Sequence, residues 1–317
     1  MSFKHMDEIA VYWVGHACGW RPETVRRAYE LVVKSWTDAG REPNQIAATA
    51  PGVGKNYGSF VHKQRFIENA GFENIESINL ARLPEGCRHV TAESELATIV
   101  DLERSLLSVG CVPSLVGAAA TMICENAREL IRLTGCRYAY MFRHQKLFGP
   151  DGYAIGLSTH VDHDWRPDEL RYNIQNWNPR MKNLAPIIAG GILRNVFPEN
   201  YLSEPYLQAR LGKTGTTLKE WIQADPSTRG ALEPFSDILM KWVPPLENIP
   251  QIREELYRAG RVFYWRFLRP GFRNAQGGIT PEPLYRPDLS APWEAPDPIP
   301  EIYRADYWKD KDPSLTY

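Results

Sequence analysis

An apolar hexapeptide followed by a long amphipathic stretch leaves few folds open to this chain. Residues 9–14 (IAVYWV) are mostly β-branched or aromatic and are closed by Gly15, which reads as a buried strand. Pro22 suits a first helical turn, where its missing N–H would have had no partner anyway. Val25, Tyr29, Val32, Val33 and Trp36 then recur at helical spacing, with Arg26, Arg27, Glu30, Lys34 and Asp38 largely on the other face. Gly40 stands where a helix commonly ends at positive φ. A helix with one apolar stripe must bury it, so this segment predicts a helix packed on a sheet.

The remaining punctuation fits the same architecture. Residues 45–59 are short, small and Gly-rich. Residues 62–70 predict a short helix ending at Gly71, and 75–83 a strand. Residues 88–110 are ambiguous, because 90–100 alternate poorly and 101–107 suit a helix. Ser114 is placed to cap a second strong helix with Leu115, Ala119, Met122, Ile123, Leu130 and Ile131 on its apolar side and Gly135 as its stop. Strands are expected over 138–143 and 153–157. Gly149-Pro150-Asp151-Gly152 between them is a turn signal, so the pair predicts an antiparallel hairpin.

Further on, 168–177 reads as helical. Residues 186–196 read as a strand with a glycine bulge or a close backbone approach at Gly190-Gly191. Leu207 falls in a short helix. Thr217 with Glu220 makes a capping-box pattern ahead of Leu218, Trp221 and Ile222, and Pro226 stops that helix. Residues 238–243 are strand-like. Pro250 opens a helix with Ile252 and Leu256 inward and Gly260 at its end, and 262–268 form an aromatic strand.

The expected fold class is α+β, with a mixed, largely antiparallel sheet or sheets and packed amphipathic helices. Residues 132–140 and 257–264 rhyme, since both run helix, Gly, Arg, aromatic strand. A duplicated α+β unit explains this, and so do two independent helix-to-strand junctions. The organisation read from the chain is an N-terminal half over 1–135, a C-terminal half over 136–268 and a tail over 269–317. That tail holds nine of the 25 prolines together with Phe272, Tyr285, Trp293, Tyr303, Tyr307 and Trp308. So many aromatics are unlike a solvated linker, so it is expected to lie extended on the body. A partner-binding arm in polyproline II form is the alternative.

Composition narrows the function classes. Of 317 residues, 37 are Lys or Arg and 38 are Asp or Glu, for a formal net charge of -1. That argues against a globally basic nucleic-acid binder. No apolar run approaches the ~18–20 residues of a membrane span. The first residues lack the apolar core of a signal peptide, so the cytoplasm is the expected location. The five cysteines, Cys18, Cys87, Cys111, Cys124 and Cys136, include no CxxC pair. Cys111, Cys124 and Cys136 read as small buried hydrophobes.

The chemistry-bearing segments are few. Thr159-His160-Val161-Asp162-His163-Asp164-Trp165 concentrates imidazole and carboxylate groups of the kind that ligate zinc, manganese or iron. As a metal site it would use His160, Asp162 and His163 with a further ligand from elsewhere, His144 being the nearest histidine in sequence on the expected paired strand. As a polar turn, Asp162 or Asp164 would satisfy backbone N–H groups ahead of the next helix. The Gly-rich segment 51–58 is not a phosphate loop, because Thr49 and Asn56 stand where the pattern needs Gly and Ser or Thr. Its third-glycine position is Tyr57, so it is no dinucleotide fingerprint either. His16 beside Cys18 has the residue types of a thiol–imidazole pair, but positions i and i+2 need not face one another. No GxSxG nucleophile elbow occurs.

The layout of strand, amphipathic helix, Gly-rich turns, hairpin and Pro/Trp-rich close resembles the α+β immunity proteins of bacterial toxin systems, including those paired with type VI secretion effectors. The likeness spans residues 8–268 and includes Gly149-Pro150-Asp151-Gly152-Tyr153-Ala154-Ile155-Gly156. It implies a cytoplasmic binder that blocks a toxin and needs no catalytic group or cofactor of its own. The leading expectation is therefore an intracellular, non-catalytic protein-binding module. Its contacts would come from His160, Asp162, His163, Asp164 and Trp165 first, then Lys55 and Tyr57. The alternative is an enzyme, hydrolase or oxygenase, with a divalent transition metal on His160, Asp162 and His163. A second alternative is a structural subunit docking through its tail.

Overall fold

The computed structural model describes residues 9–51, 58–87, 94–102, 105–111, 117–145, 191–212 and 215–262. The chain divides into two compact units, Met1–Ala154 and Ile155–Tyr317. It is an α+β protein, and every ladder between its named strands is antiparallel among the described residues.

The first unit is built on β1 (Ile9–His16), α1 (Pro22–Asp38), β2 (Gln45–Thr49), β3 (Gly58–Ser59), α2 (Phe60–Ala70), β4 (Ser77–Arg82), β5 (Leu96–Asp101), β6 (Leu106–Cys111), α3 (Ala118–Thr134) and β7 (Tyr138–Gln145). Its strands lie in the order β3-β2-β4-β5-β6-β1-β7. The apolar hexapeptide is thus an interior strand, hydrogen-bonded to β6 on one side and β7 on the other. On α1 the predicted stripe buries Val25, Val32 and Trp36, joined by Ala28. On α3 it buries Ile123, Ala127, Leu130 and Ile131, and the two helices pack side by side. Gly40 takes φ +66, and Gly135 ends α3 in the left-handed region at φ 56, ψ 34. Arg137 N then donates to His16 O at 3.1 Å and opens the β7–β1 ladder.

Two expectations for this unit are corrected. The described residues of 101–107 are not helical: Asp101 ends β5, Ser105 turns at φ 49, and Leu106 and Leu107 begin β6. β6 is buried at every position, so the alternation that marks a half-exposed strand is missing. Within the small, Gly-rich segment 45–59, β2 and β3 pair. The small residues Ala47 and Ala48 are buried in β2, where close packing needs little side chain. The N-cap of α3 is Gly117 at φ 71, not Ser114, which lies outside the described residues.

The second unit contains β8 (Glu199–Ser203), α4 (Glu204–Leu207), α5 (Leu218–Ala224), α6 (Pro226–Arg229), β9 (Ala231–Pro234), β10 (Leu239–Val243) and α7 (Ile249–Arg258). β10 pairs with β8 on one side and β9 on the other. The capping box is present: Glu220 N donates to Thr217 Oγ1 at 3.2 Å, and Thr217 N donates to Glu220 Oε2 at 2.8 Å. The bond from Thr217 N, with a second donated by Thr217 Oγ1 to Glu220 Oε2 at 2.9 Å, holds the Glu220 carboxyl below its ordinary range. Replacing the cap, Thr217→Ala, should cost about 1 kcal/mol. A lower urea midpoint with an unchanged m-value in the full chain would check it.

Pro226 does more than stop α5. It occupies the first turn of α6, and Asp225 caps that turn by accepting from Thr228 N at 3.2 Å. α7 buries Ile252 and Leu256 as expected, with Arg253 and Tyr257 beside them, and Arg261 N closes its end on Leu256 O at 2.8 Å. Residues 191–196 are not a ladder strand; within them Leu193 makes a single parallel bridge to Val262. The close approach expected at the glycine pair is present at Gly191, where a Cβ would sit 3.1 Å from Pro205 O. β8 and β9 are strands that the sequence pattern did not predict. The hairpin turn at 149–152, the strand at 153–157, the helix at 168–177 and the tail from 269 lie outside the described residues. Among the described residues, no helix is long and apolar enough to cross a membrane.

Candidate contact surface

His160, Asp162, His163, Asp164, Trp165, Lys55 and Tyr57 all lie outside the described residues, as does the side chain of His144. Among the described residues, no three His, Cys, Asp or Glu side chains come together in a group that would hold a metal ion.

His16 and Cys18 are not a thiol–imidazole pair. The His16 Nε2 atom is 3.0 Å from Tyr140 Oη, with the donor set by the imidazole tautomer. Its ring stacks on Tyr138 at a centroid distance of 5.8 Å. The Cys18 thiol is buried beside Cys136, and burial pushes it well above the ordinary thiol range. A thiol raised in this way is a poor nucleophile.

The ladders place His16 within a wider arrangement. Side chains opposite one another in an antiparallel pair share a face. By register, Tyr12 and His16 of β1, Ser108 of β6, Asp101 of β5 and Ser77 and Asn79 of β4 share one face with Tyr138, Tyr140 and Phe142 of β7. Cys111 belongs to the opposite face, where its thiol neighbours Cys124 of α3. The polar and aromatic face is therefore the one turned away from α3. Its hydrogen bonds and ring contacts run across strands: Thr49 Oγ1 and Ser77 Oγ are 2.8 Å apart, and the Tyr12 and Phe142 rings are 5.4 Å apart. Ser77, Asn79, Asp101 and Ser108 are all buried, so this face is a packed interior and not an open cleft.

A surface with the chemistry of a contact site lies in the second unit, where α5, α6 and the end of β10 meet. The Arg229 guanidinium stands 4.2 Å over the Trp221 ring, and its Nη1 donates to Trp221 O at 2.7 Å. Trp242 Nε1 donates to Arg229 O at 2.6 Å, which ties α6 to β10. Asn248 Nδ2 donates to Thr228 O at 2.9 Å, which brings the turn at Leu246–Asn248 to the same corner. Val243, paired with Ala231, is 40% exposed and Leu246 is 46% exposed. Ile238 at the other end of β10 is 50% exposed. The corner therefore combines an indole, a guanidinium held over it and two uncovered aliphatic side chains. Burying a Val or Leu side chain contributes about 1.5–3 kcal/mol, and Trp and Arg are over-represented among binding hot spots.

Strand addition is not how this corner would bind. β9 is short, carries Glu233 and ends at Pro234, features that protect a sheet edge against pairing. Contact falls to the side chains. Sequence reasoning assigned Trp221 to a helix stripe and read Val243 as the end of a strand. The helical stripe is correct for Leu218 and Ile222, which are buried, but exposure at Val243 and Leu246 has no local sequence signature.

No protein-family model and no curated protein sequence matches this chain. Among solved structures, the chain is similar to one described as Pseudomonas aeruginosa T6SS protein PA0821. The identity is 10% and the TM-score 0.48, with 78% of this chain and 72% of that chain covered.

Proposed function

We propose that this chain is a non-catalytic protein-binding module, and more specifically an intracellular immunity protein that binds and neutralises a cognate bacterial toxin. The observation that carries the binding function is the corner formed by Trp221, Arg229, Val243 and Leu246. It presents the residue types that anchor protein interfaces, on backbone held by hydrogen bonds between α5, α6 and β10. A preorganised surface loses little conformational freedom on binding, so more of the contact energy appears as affinity. The immunity role rests on the pattern-level resemblance of residues 8–268 to toxin-neutralising α+β proteins. It requires shape and hydrophobic contact, and no catalytic group.

The test is calorimetric titration of the full chain with the toxin domain encoded by a neighbouring gene, together with an assay of that toxin's activity. Saturable binding with loss of toxin activity is expected. Trp221→Ala should weaken the complex by about 2 kcal/mol, roughly 30-fold in Kd, with the far-UV circular dichroism unchanged. A chain that neither binds nor neutralises that domain removes the immunity assignment. Binding that is indifferent to both Trp221→Ala and Leu246→Asp removes the corner as its surface.

A further inference from the structure

The β1–β7 ladder ends with His16 opposite Tyr138. Two residues further along each strand direction stand Cys18 and Cys136. Beyond the ladder the backbones stay together. Arg137 N donates to His16 O at 3.1 Å and Gly19 N donates to Thr134 O at 2.8 Å, so both cysteines sit between two inter-segment hydrogen bonds. A Cβ built on Gly15 would meet Cys136 Sγ at 3.2 Å and Cys18 Sγ at 3.6 Å, so both sulfurs flank the same glycine. The two thiols stand close enough for each to feel the other's charge, Cys136 Sγ donates to Ile131 O at 3.5 Å, and neither cysteine is in a disulfide. The register shifts by one residue at Ala17 (φ 53), which turns both sulfurs to the face of β1 on which Gly15 lies and brings them to one point beside it.

We infer that Cys18 and Cys136 form a latent redox pair, converted to an intramolecular disulfide by small-molecule disulfides. One cysteine thiolate attacks a sulfur of the small disulfide, forming a protein mixed disulfide and expelling one thiolate. The second cysteine thiolate then attacks the protein sulfur of that mixed disulfide and expels the other. The two protein thiols are oxidised and the small disulfide is reduced to two thiols, which carry away the two protons. The cross-link joins the segment between β1 and α1 to the junction between α3 and β7, closing a loop that spans most of the first unit. Long loops closed in this way restrict the unfolded chain most.

Burial sets the rate of this reaction. Cys18 is 5% exposed and Cys136 0%, so attack waits for a local opening of the 17–19 segment. Ala17 holds φ 53 at the start of that segment, a left-handed conformation that non-glycine residues rarely keep. The pair is therefore slow to oxidise in the folded protein and, once linked, slow to reduce. A second thiol neighbourhood, Cys111 of β6 with Cys124 of α3, provides an internal comparison in which burial pushes the Cys111 thiol up to about 12.

The experiment incubates the reduced, folded full chain with oxidised glutathione at pH 8.5, blocks remaining thiols with N-ethylmaleimide and maps the peptides by mass spectrometry. The expected result is a peptide linked Cys18–Cys136, with a urea midpoint that rises and returns on reduction with dithiothreitol. Cys18→Ala should abolish the link and leave Cys136 either alkylated or carrying glutathione. A wild-type chain in which both residues stay alkylatable overturns the inference. So does one in which each carries glutathione separately, or in which either links preferentially to another cysteine. The readout is independent of any partner, so its failure leaves the proposed binding function standing.

Discussion

Gly230→Ala is expected to destabilise the second unit by about 3 kcal/mol or more and to weaken partner binding with it. Gly230 has φ 85 and ψ 175, a region of backbone space essentially closed to residues with a Cβ. The geometry around it is also closed. A Cβ there would lie 2.1 Å from Val243 O and 2.7 Å from Pro244 Cα, and both are backbone atoms that cannot rotate aside. Relief requires β9 to separate from β10, next to the Val243–Ala231 pair. Arg229 precedes this glycine and Val243 faces it, so the distortion falls on the proposed contact corner. Gly40→Ala is the control. Gly40 also has positive φ, at 66, but nothing lies within 4 Å of its added Cβ, so only the left-handed backbone cost of about 1–2 kcal/mol remains. Urea titrations of the full chain, followed by tryptophan fluorescence, compare the two. Equal losses at the two positions would contradict the close approach of β10 to Gly230.

The second large effect separates two buried tryptophans that composition treats alike. Trp13 and Trp242 are both fully buried, and either substitution to alanine should cost about 3–5 kcal/mol by opening a large cavity. Phenylalanine tells them apart. Trp242 Nε1 donates to Arg229 O at 2.6 Å, so Trp242→Phe removes a donor from a carbonyl in the α6–β10 junction. Trp13 Nε1 is buried with no acceptor within hydrogen-bond reach among the described residues, so Trp13→Phe gives up ring volume without breaking a bond. Trp242→Phe should therefore cost about 1–3 kcal/mol more than Trp13→Phe, the range for leaving a buried polar group unpaired. Differential scanning calorimetry of both variants checks the ordering. The reverse ordering would place the stabilising hydrogen bond on the wrong indole.

Much of the fold was legible where the physics is local. α1 was readable because Pro22, a 3.6-residue apolar stripe and Gly40 mark its start, face and end independently. The capping box of α5 was readable because Thr217 and Glu220 satisfy one another within a single turn. α7 followed from Pro250 and Gly260 in the same way. β6 resisted reading because a strand covered on both faces has no alternation to show. β8 and β9 are five and four residues long and hold their places through pairing with β10, so nothing in their own composition announces them.

The contact surface was less legible than the fold. The histidine and aspartate cluster at 160–164 drew attention because ligand-type residues are visible in one dimension. The corner at Trp221, Arg229, Val243 and Leu246 combines a helix, a second short helix, a strand end and a turn. Its residues look like ordinary core until their exposure is known.

Local interactions were therefore settled by the amino-acid order alone: the stripe and end of α1, the capping box of α5, the apolar strand at the N-terminal end and the α+β class. Contacts between residues distant in sequence were decided only by tertiary structure. The placement of β1 between β6 and β7, the meeting of Cys18 with Cys136, and the exposure of Val243 and Leu246 are of this kind. Closing such contacts costs chain entropy that no short window of sequence records, and it is repaid only when the whole sheet and its helices assemble.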